Sequence, residues 1–167
     1  MKTKLIATVL SLAIVTLLIL AGPAQAFTII ISSIPDVLKG DDLVFSVDIS
    51  DIDKQVDYAV LVIENTGASL DRIECTIEDD GSYECIRFKG SRNNPKPYDE
   101  VEITQTGDFG YGYTSGGDVS FDVIWHTGTD HQPGIYVAQV EVFTVNSPKV
   151  LSPEASFKLN TPGKSKK

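Results

Sequence analysis

Cations, sulfur and imidazole are scarce in this chain, and each shortage narrows what it can do. Lysine and arginine number 14 against 23 aspartates and glutamates, a formal charge of −9. Lys2 and Lys4 belong to an N-terminal segment set apart below, which leaves 12 against 23 and a charge of −11 on the remainder. That sign argues against nucleic acid, whose phosphates need a basic surface. It suits solubility outside the cell, in a salty or cation-rich setting. Methionine occurs only at position 1 and cysteine only at 75 and 85. A copper centre of the cupredoxin type would lack both a thioether and a spare thiolate. Structural zinc wants four ligands, and no histidine lies near either thiol in sequence. Cys-x-x-Cys spacing is missing, so a redox pair is not indicated. No Gly-x-Ser-x-Gly elbow, His-Glu-x-x-His pair or phosphate-cradling glycine loop is present.

The one long apolar run stands at the start. Residues 1–26 combine Lys2 and Lys4 with an unbroken run of apolar and small residues over 5–21 and the small-x-small triplet Ala24-Gln25-Ala26. The pattern reads as a signal peptide cleaved ahead of Phe27. The run is also nearly long enough to span a bilayer, so an uncleaved N-terminal anchor is the alternative. Either way the rest of the chain lies outside the cytoplasm, secreted or at the cell surface. Residues 27–160 then form one domain, and 161–167 (TPGKSKK) read as a disordered basic tail.

What is abundant is strand signal. Residues 72–88 (RIECTIEDDGSYECIRF) hold two alternating runs around Asp79-Asp80-Gly81, the glycine-containing connection of a β-hairpin. With Gly81 in the left-handed position of a three-residue loop, Glu78 faces Ser82 and Cys75 falls opposite Cys85. That pair is a non-hydrogen-bonded one, where opposed side chains approach most closely. A cross-strand disulfide therefore fits without moving backbone, which suits an exported protein. Ile73, Cys75, Ile77 and Tyr83 share a face, whereas Ile86 and Phe88 fall on the other. A β-bulge near Arg87 would bring all of them to the core.

Around the hairpin, 27–34 is an apolar first strand and 43–50 alternates with Leu43, Phe45, Val47 and Ile49 inward. Residues 56–64 are apolar at nearly every position, as in a central strand buried on both sides. Residues 89–97 form a loop. Strands follow over 99–106, over 119–125 with Trp125 at its end, over 135–145, and at Ala155, Phe157 and Leu159. Eight or nine strands without a helix imply an all-β fold of two packed sheets, a β-sandwich of immunoglobulin-like or jelly-roll type.

Three segments carry a resemblance. AVLVIENTGAS (59–69), PGIYVAQVEVF (133–143) and LKGDDLVFSVDI (38–49) are similar to strands of CARDB-type and related prokaryotic immunoglobulin-like modules. The resemblance implies an extracellular, non-catalytic module for adhesion or display, and names no ligand.

Candidate sites are few. The loop 107–117 (GDFGYGYTSGG) sets Phe109, Tyr111 and Tyr113 between glycines, where rings could stack on sugars or grip a protein, or fold back over the core. His126 and His131 flank Asp130 in WHTGTDH and read as a surface turn rather than a metal site. Asp48, Asp51 and Asp53, and separately Glu78, Asp79 and Asp80, could each offer oxygens to calcium, although neither run matches an EF-hand. No catalytic residue is assigned, no cofactor beyond that calcium option is implied, and no metal ligand set is complete. The expectation is a binding or adhesion module at the cell exterior, its partner an extracellular protein or glycan. The alternatives are a fibre subunit that self-assembles through strand 27–34 and, more remotely, a small secreted hydrolase.

Overall fold

The computed structural model describes residues 28–52, 55–67, 69–109, 117–145 and 148–163. The segment 1–26, Asp53, Tyr111, Tyr113 and the last four residues of the tail lie outside them. The described residues contain twelve strands and no helix: β1 (Thr28–Ile31), β2 (Val37–Leu38), β3 (Asp42–Ile52), β4 (Val56–Asn65), β5 (Asp71–Glu78), β6 (Tyr83–Lys89), β7 (Lys96–Pro97), β8 (Val101–Gly107), β9 (Gly117–His126), β10 (Gly134–Thr144), β11 (Val150–Leu151) and β12 (Ala155–Asn160). The sequence pattern misses β2, β7 and β11, since a two-residue strand shows no alternation.

One sheet runs in the order β1-β3-β9-β8, and the other runs β2-β12-β10-β4-β5-β6-β7 with β11 on β10. All pairings are antiparallel except that of β12 with β2. Inward positions alternate along each strand: Leu43, Phe45, Val47 and Ile49 on β3 meet Ile63, Ile73, Tyr136 and Phe157 from the facing sheet in one buried core. This is a β-sandwich, each sheet burying one apolar face against the other. Strand β1 lies on β3 of its own chain, Ile29 opposite Ile49. Gly107 ends β8 at φ 86, and a Cβ there would stand 2.2 Å from the carbonyl oxygen of Asp118, so only glycine fits.

The hairpin forms in the expected register. Glu78 N–H donates to the Ser82 carbonyl at 2.9 Å, Gly81 has φ 82, and Cys75 pairs with Cys85 at a Cα separation of 4.0 Å. Both cysteines are buried in the disulfide.

Three expectations about neighbouring residues fail. No bulge occurs near Arg87, because β5 and β6 pair without a break from Asp71–Lys89 to Ile77–Tyr83. Ile86 and Phe88 therefore stay on the outer face, half-buried, and the inward position belongs to Arg87. Tyr83 is inward in phase but exposed, since it sits at the open rim beside the turn. Strand β4 is central but not buried on both faces: Tyr58, Val60 and Glu64 are only half-covered. Among these, Tyr58 stacks on Phe143 across the strand pair at 4.4 Å.

Candidate functional site

The inward row of the hairpin begins with an acid and ends with a base, and that places the site. Asp71 opens β5 in phase with Ile73, while Arg87 follows Cys85 on β6, both at the end of the sandwich away from the turn. Arg87 Nε donates to Asp71 Oδ1 at 2.8 Å and its Nη2 to Oδ2 at 3.1 Å. The Oδ2 oxygen also receives His131 Nδ1 at 3.1 Å and the backbone N–H of Gln132 at 3.2 Å. The Tyr136 hydroxyl is 2.9 Å both from that carboxylate oxygen and from the Gln132 carbonyl, a tyrosine-corner contact of the kind that pins turns in β-sandwiches.

From His131 the chain of bonds crosses to the other sheet. Its Nε2 is 2.7 Å from the Tyr98 hydroxyl, and Trp125 Nε1 is 3.0 Å from that same oxygen. The ends fix the outer bonds, because an indole N–H can only donate and an ionised carboxylate can only accept. Trp125 thus donates to Tyr98 and His131 Nδ1 donates to Asp71, with the His131–Tyr98 bond joining the two. Burial disfavours the charged form of Asp71, but hydrogen bonds from His131 and Arg87 outweigh it and hold the carboxyl far below its ordinary range. Burial drives the Tyr98 hydroxyl up to about 12 and raises that of Tyr136 as well.

The segment WHTGTDH does turn at the surface, with Thr129 and Asp130 exposed, but His131 is not part of that surface. His131 is buried, edge-on to Trp125 at 4.8 Å, and is a structural link rather than a solvated residue. His126, five residues earlier, points outward between Asp42 at 2.7 Å and Glu102 at 3.2 Å, so the two histidines do not converge. The bonds to Asp42 and then to Glu102 raise its pKa by favouring the cationic form.

Tyr98 belongs to a strap that closes the sandwich edge. Lys96 and Pro97 pair with Arg87 and Ile86, and the Tyr98 N–H donates to the Cys85 carbonyl at 2.9 Å. The Arg87 guanidinium lies 5.5 Å from the centre of the Tyr98 ring. Clefts open on both sides of the strap, sharing Pro97 and Tyr98 as a wall. One, about 440 Å³, is lined by Arg87, Lys89, Asn94, Lys96 and Asp130, three cations against one carboxylate. The other, of similar size, carries Glu84 and Asp99 and no cation. On a chain with formal charge −9, the first cleft reverses the prevailing sign.

Asp130 is bound into the basic cleft by Arg87 Nη1 at 2.8 Å and Lys89 Nζ at 3.0 Å. Its partial burial works against ionisation, yet those two cations bring its pKa down to about 2. Lys89 and the Asp130 side chain are each about half exposed, so both reach solvent in the cleft.

Of the residues singled out in sequence, Phe109 is buried against Phe121 at 5.6 Å, so its ring serves the core and offers nothing to a ligand. Tyr111 and Tyr113 lie outside the described residues. Asp48 accepts from Ser120 Oγ at 2.6 Å, the Asp51 N–H donates to Asp118, and Asp80 caps the hairpin turn by accepting the Ser82 N–H at 2.9 Å. Among the described residues no cluster of three or more histidine, cysteine, aspartate or glutamate side chains could hold a metal ion. None of their helices is long and apolar enough to cross a membrane.

No family model and no curated protein matches the chain. Among solved structures it is similar to a family 123 glycoside hydrolase from Clostridium perfringens, described for glycolipid glycan hydrolysis, with a TM-score of 0.44 and 11% identity. The likeness covers 83% of this chain and 28% of that enzyme. It carries nothing to this chain beyond that report.

Proposed function

We propose that this protein is a non-catalytic binding module of the cell exterior, secreted or tethered there, and that the basic cleft beside the strap is its recognition site. The cleft carries this reading: three cations gathered on an acidic chain, on strands fixed by a disulfide and a buried ion pair. A rigid scaffold presenting charge in a concave surface is a ligand site rather than a solvated face. The disulfide and the N-terminal apolar segment support an oxidising exterior compartment. The proton inventory supports binding over catalysis. A general acid or base works best with a pKa near the operating pH, whereas Asp130 is held near 2 and Tyr98 near 12.

The test is a screen of the oxidised full chain against immobilised glycans and extracellular proteins, with Lys89→Ala/Lys96→Ala beside the parent. A ligand retained by the parent and lost by the double variant supports the reading. Cleavage products released from any retained ligand would refute a non-catalytic role, and equal retention by both proteins would remove the cleft as the site.

A further inference from the structure

The charges of the cleft are mixed, and the mixture selects among anions. Lys96 is exposed and Lys89 half exposed, so both present ammonium donors to whatever enters. Asp130 lines the same cleft, paired with Lys89 at 3.0 Å yet with its side chain 57% exposed, and it can only accept hydrogen bonds. Phosphate crowds its few hydroxyl protons onto the charged phosphorus, and an acidic peptide repeats carboxylates along its chain, so each sets like charge against Asp130. A ligand that matches all three groups carries a carboxylate and, a few ångströms away, hydroxyl protons. Pro97 and Tyr98 add an apolar wall of the kind on which the C–H face of a sugar ring rests. Asn94 supplies an amide that both donates and accepts. The volume, about 440 Å³, falls in the range of small-ligand sites.

From this combination we infer that the basic cleft binds a uronate sugar, its carboxylate on Lys89 and Lys96 and its ring hydroxyls donating to Asp130. The inference rests on the cleft being the recognition site, and it adds the chemical class of the ligand. Arg87 holds Asp130 in place from behind: with Nε and Nη2 committed to Asp71, its Nη1 fixes the carboxylate that meets the hydroxyls.

Isothermal titration of the oxidised full chain with trigalacturonate, its methyl ester, hexaglutamate and inorganic phosphate tests this. Trigalacturonate should bind, and the ester, the same sugar without charge, should bind about tenfold more weakly. Lys96→Ala should weaken the acid by about tenfold, with Lys96→Arg restoring most of the loss. Asp130→Asn should weaken trigalacturonate while leaving hexaglutamate and phosphate unchanged or tighter. Equal binding of acid and ester, both lost in Lys96→Ala, would overturn the uronate and leave the cleft as the site. Acid binding untouched by Lys89→Ala/Lys96→Ala would overturn both. Preference for hexaglutamate or phosphate, or no binding of trigalacturonate, would also sink the uronate. Among the described residues the Lys96 side chain makes no hydrogen bond or ion pair, so its variants should keep the melting temperature of the parent, which is measured alongside.

Discussion

The two ends of the hairpin β5–β6 are held by opposite means. Near the turn, Cys75 and Cys85 are joined covalently, ten residues apart in sequence, and nothing outside the hairpin is needed. At the other end, Asp71 and Arg87 are held by partners from the 127–134 loop and β10, at sequence separations of 43 to 65 residues, and by Tyr98 of the strap beside the guanidinium. The first end draws only on the hairpin's own residues. The second gains its partners only when both sheets and the strap have met. The contrast bears on where a ligand site can be built: the assembled end gathers charge from three elements around a cleft.

The largest effect should come from breaking the assembled end. Arg87→Leu strands Asp71 beside His131 and Tyr136, and removal of one partner of a buried pair costs about 3–5 kcal/mol. Urea unfolding would show this as a lower midpoint. Replacing both, Asp71→Leu with Arg87→Leu, should recover part of the loss, which a double-mutant cycle measures. A loss below about 1 kcal/mol for Arg87→Leu would mean that packing, not the ion pair, holds this end.

Removing the staple should cost less. Cys75→Ala/Cys85→Ala is expected to lower stability by about 2–3 kcal/mol on the chain-entropy estimate for a loop of this size. The register should persist, since Glu78–Ser82 and the strand pairing do not depend on the sulfurs. At the turn itself, Gly81→Ala meets no atom nearer than 3.5 Å but keeps φ 82. The cost there is the left-handed conformation alone, about 1 kcal/mol by thermal melting.

Acid should separate the two ends most cleanly. Asp71 and Asp130 have folded pKa values below their unfolded ones, so the stability they give is complete above the unfolded value near 4. It is lost as pH falls, through about 2 for Asp130 and lower still for Asp71. Stability at fixed urea should fall across that window, and Arg87→Leu should flatten the slope while the cysteine variant keeps it. The smallest effect belongs to His126, whose raised pKa gives stability present below the unfolded value and lost as pH rises through the folded one. His126→Gln should remove that slight alkaline decline.

The same contrast explains what the sequence revealed. The hairpin register, its turn and its disulfide follow from spacing over fewer than about twenty residues, and alternation or a continuous apolar run marks each of the longer strands. The site was not legible in that way. Ile86 and Phe88 on the outer face suggest a bulge near Arg87, because two apolar side chains there look misplaced until the partners of the inward arginine are known. The signal was there in part: Asp71 and Arg87 share the inward parity of Ile73 and Cys85, and opposite charges on one buried row ask to be paired. What sequence could not supply was Asp130 and His131, far along the chain, or Tyr98 in a loop without periodicity. The glycine-flanked aromatics drew attention as exposed rings, yet Phe109 is core.

Trp125 is the chain's one tryptophan, fully buried, with its indole N–H given to Tyr98 on the strap that walls the cleft. The protein therefore carries its own optical gauge. Indole emission responds to loss of that hydrogen bond and to entry of water, so the colour of a single fluorophore follows the strap. Neither label nor engineered probe is needed to see whether a ligand in the cleft presses the strap down or lifts it.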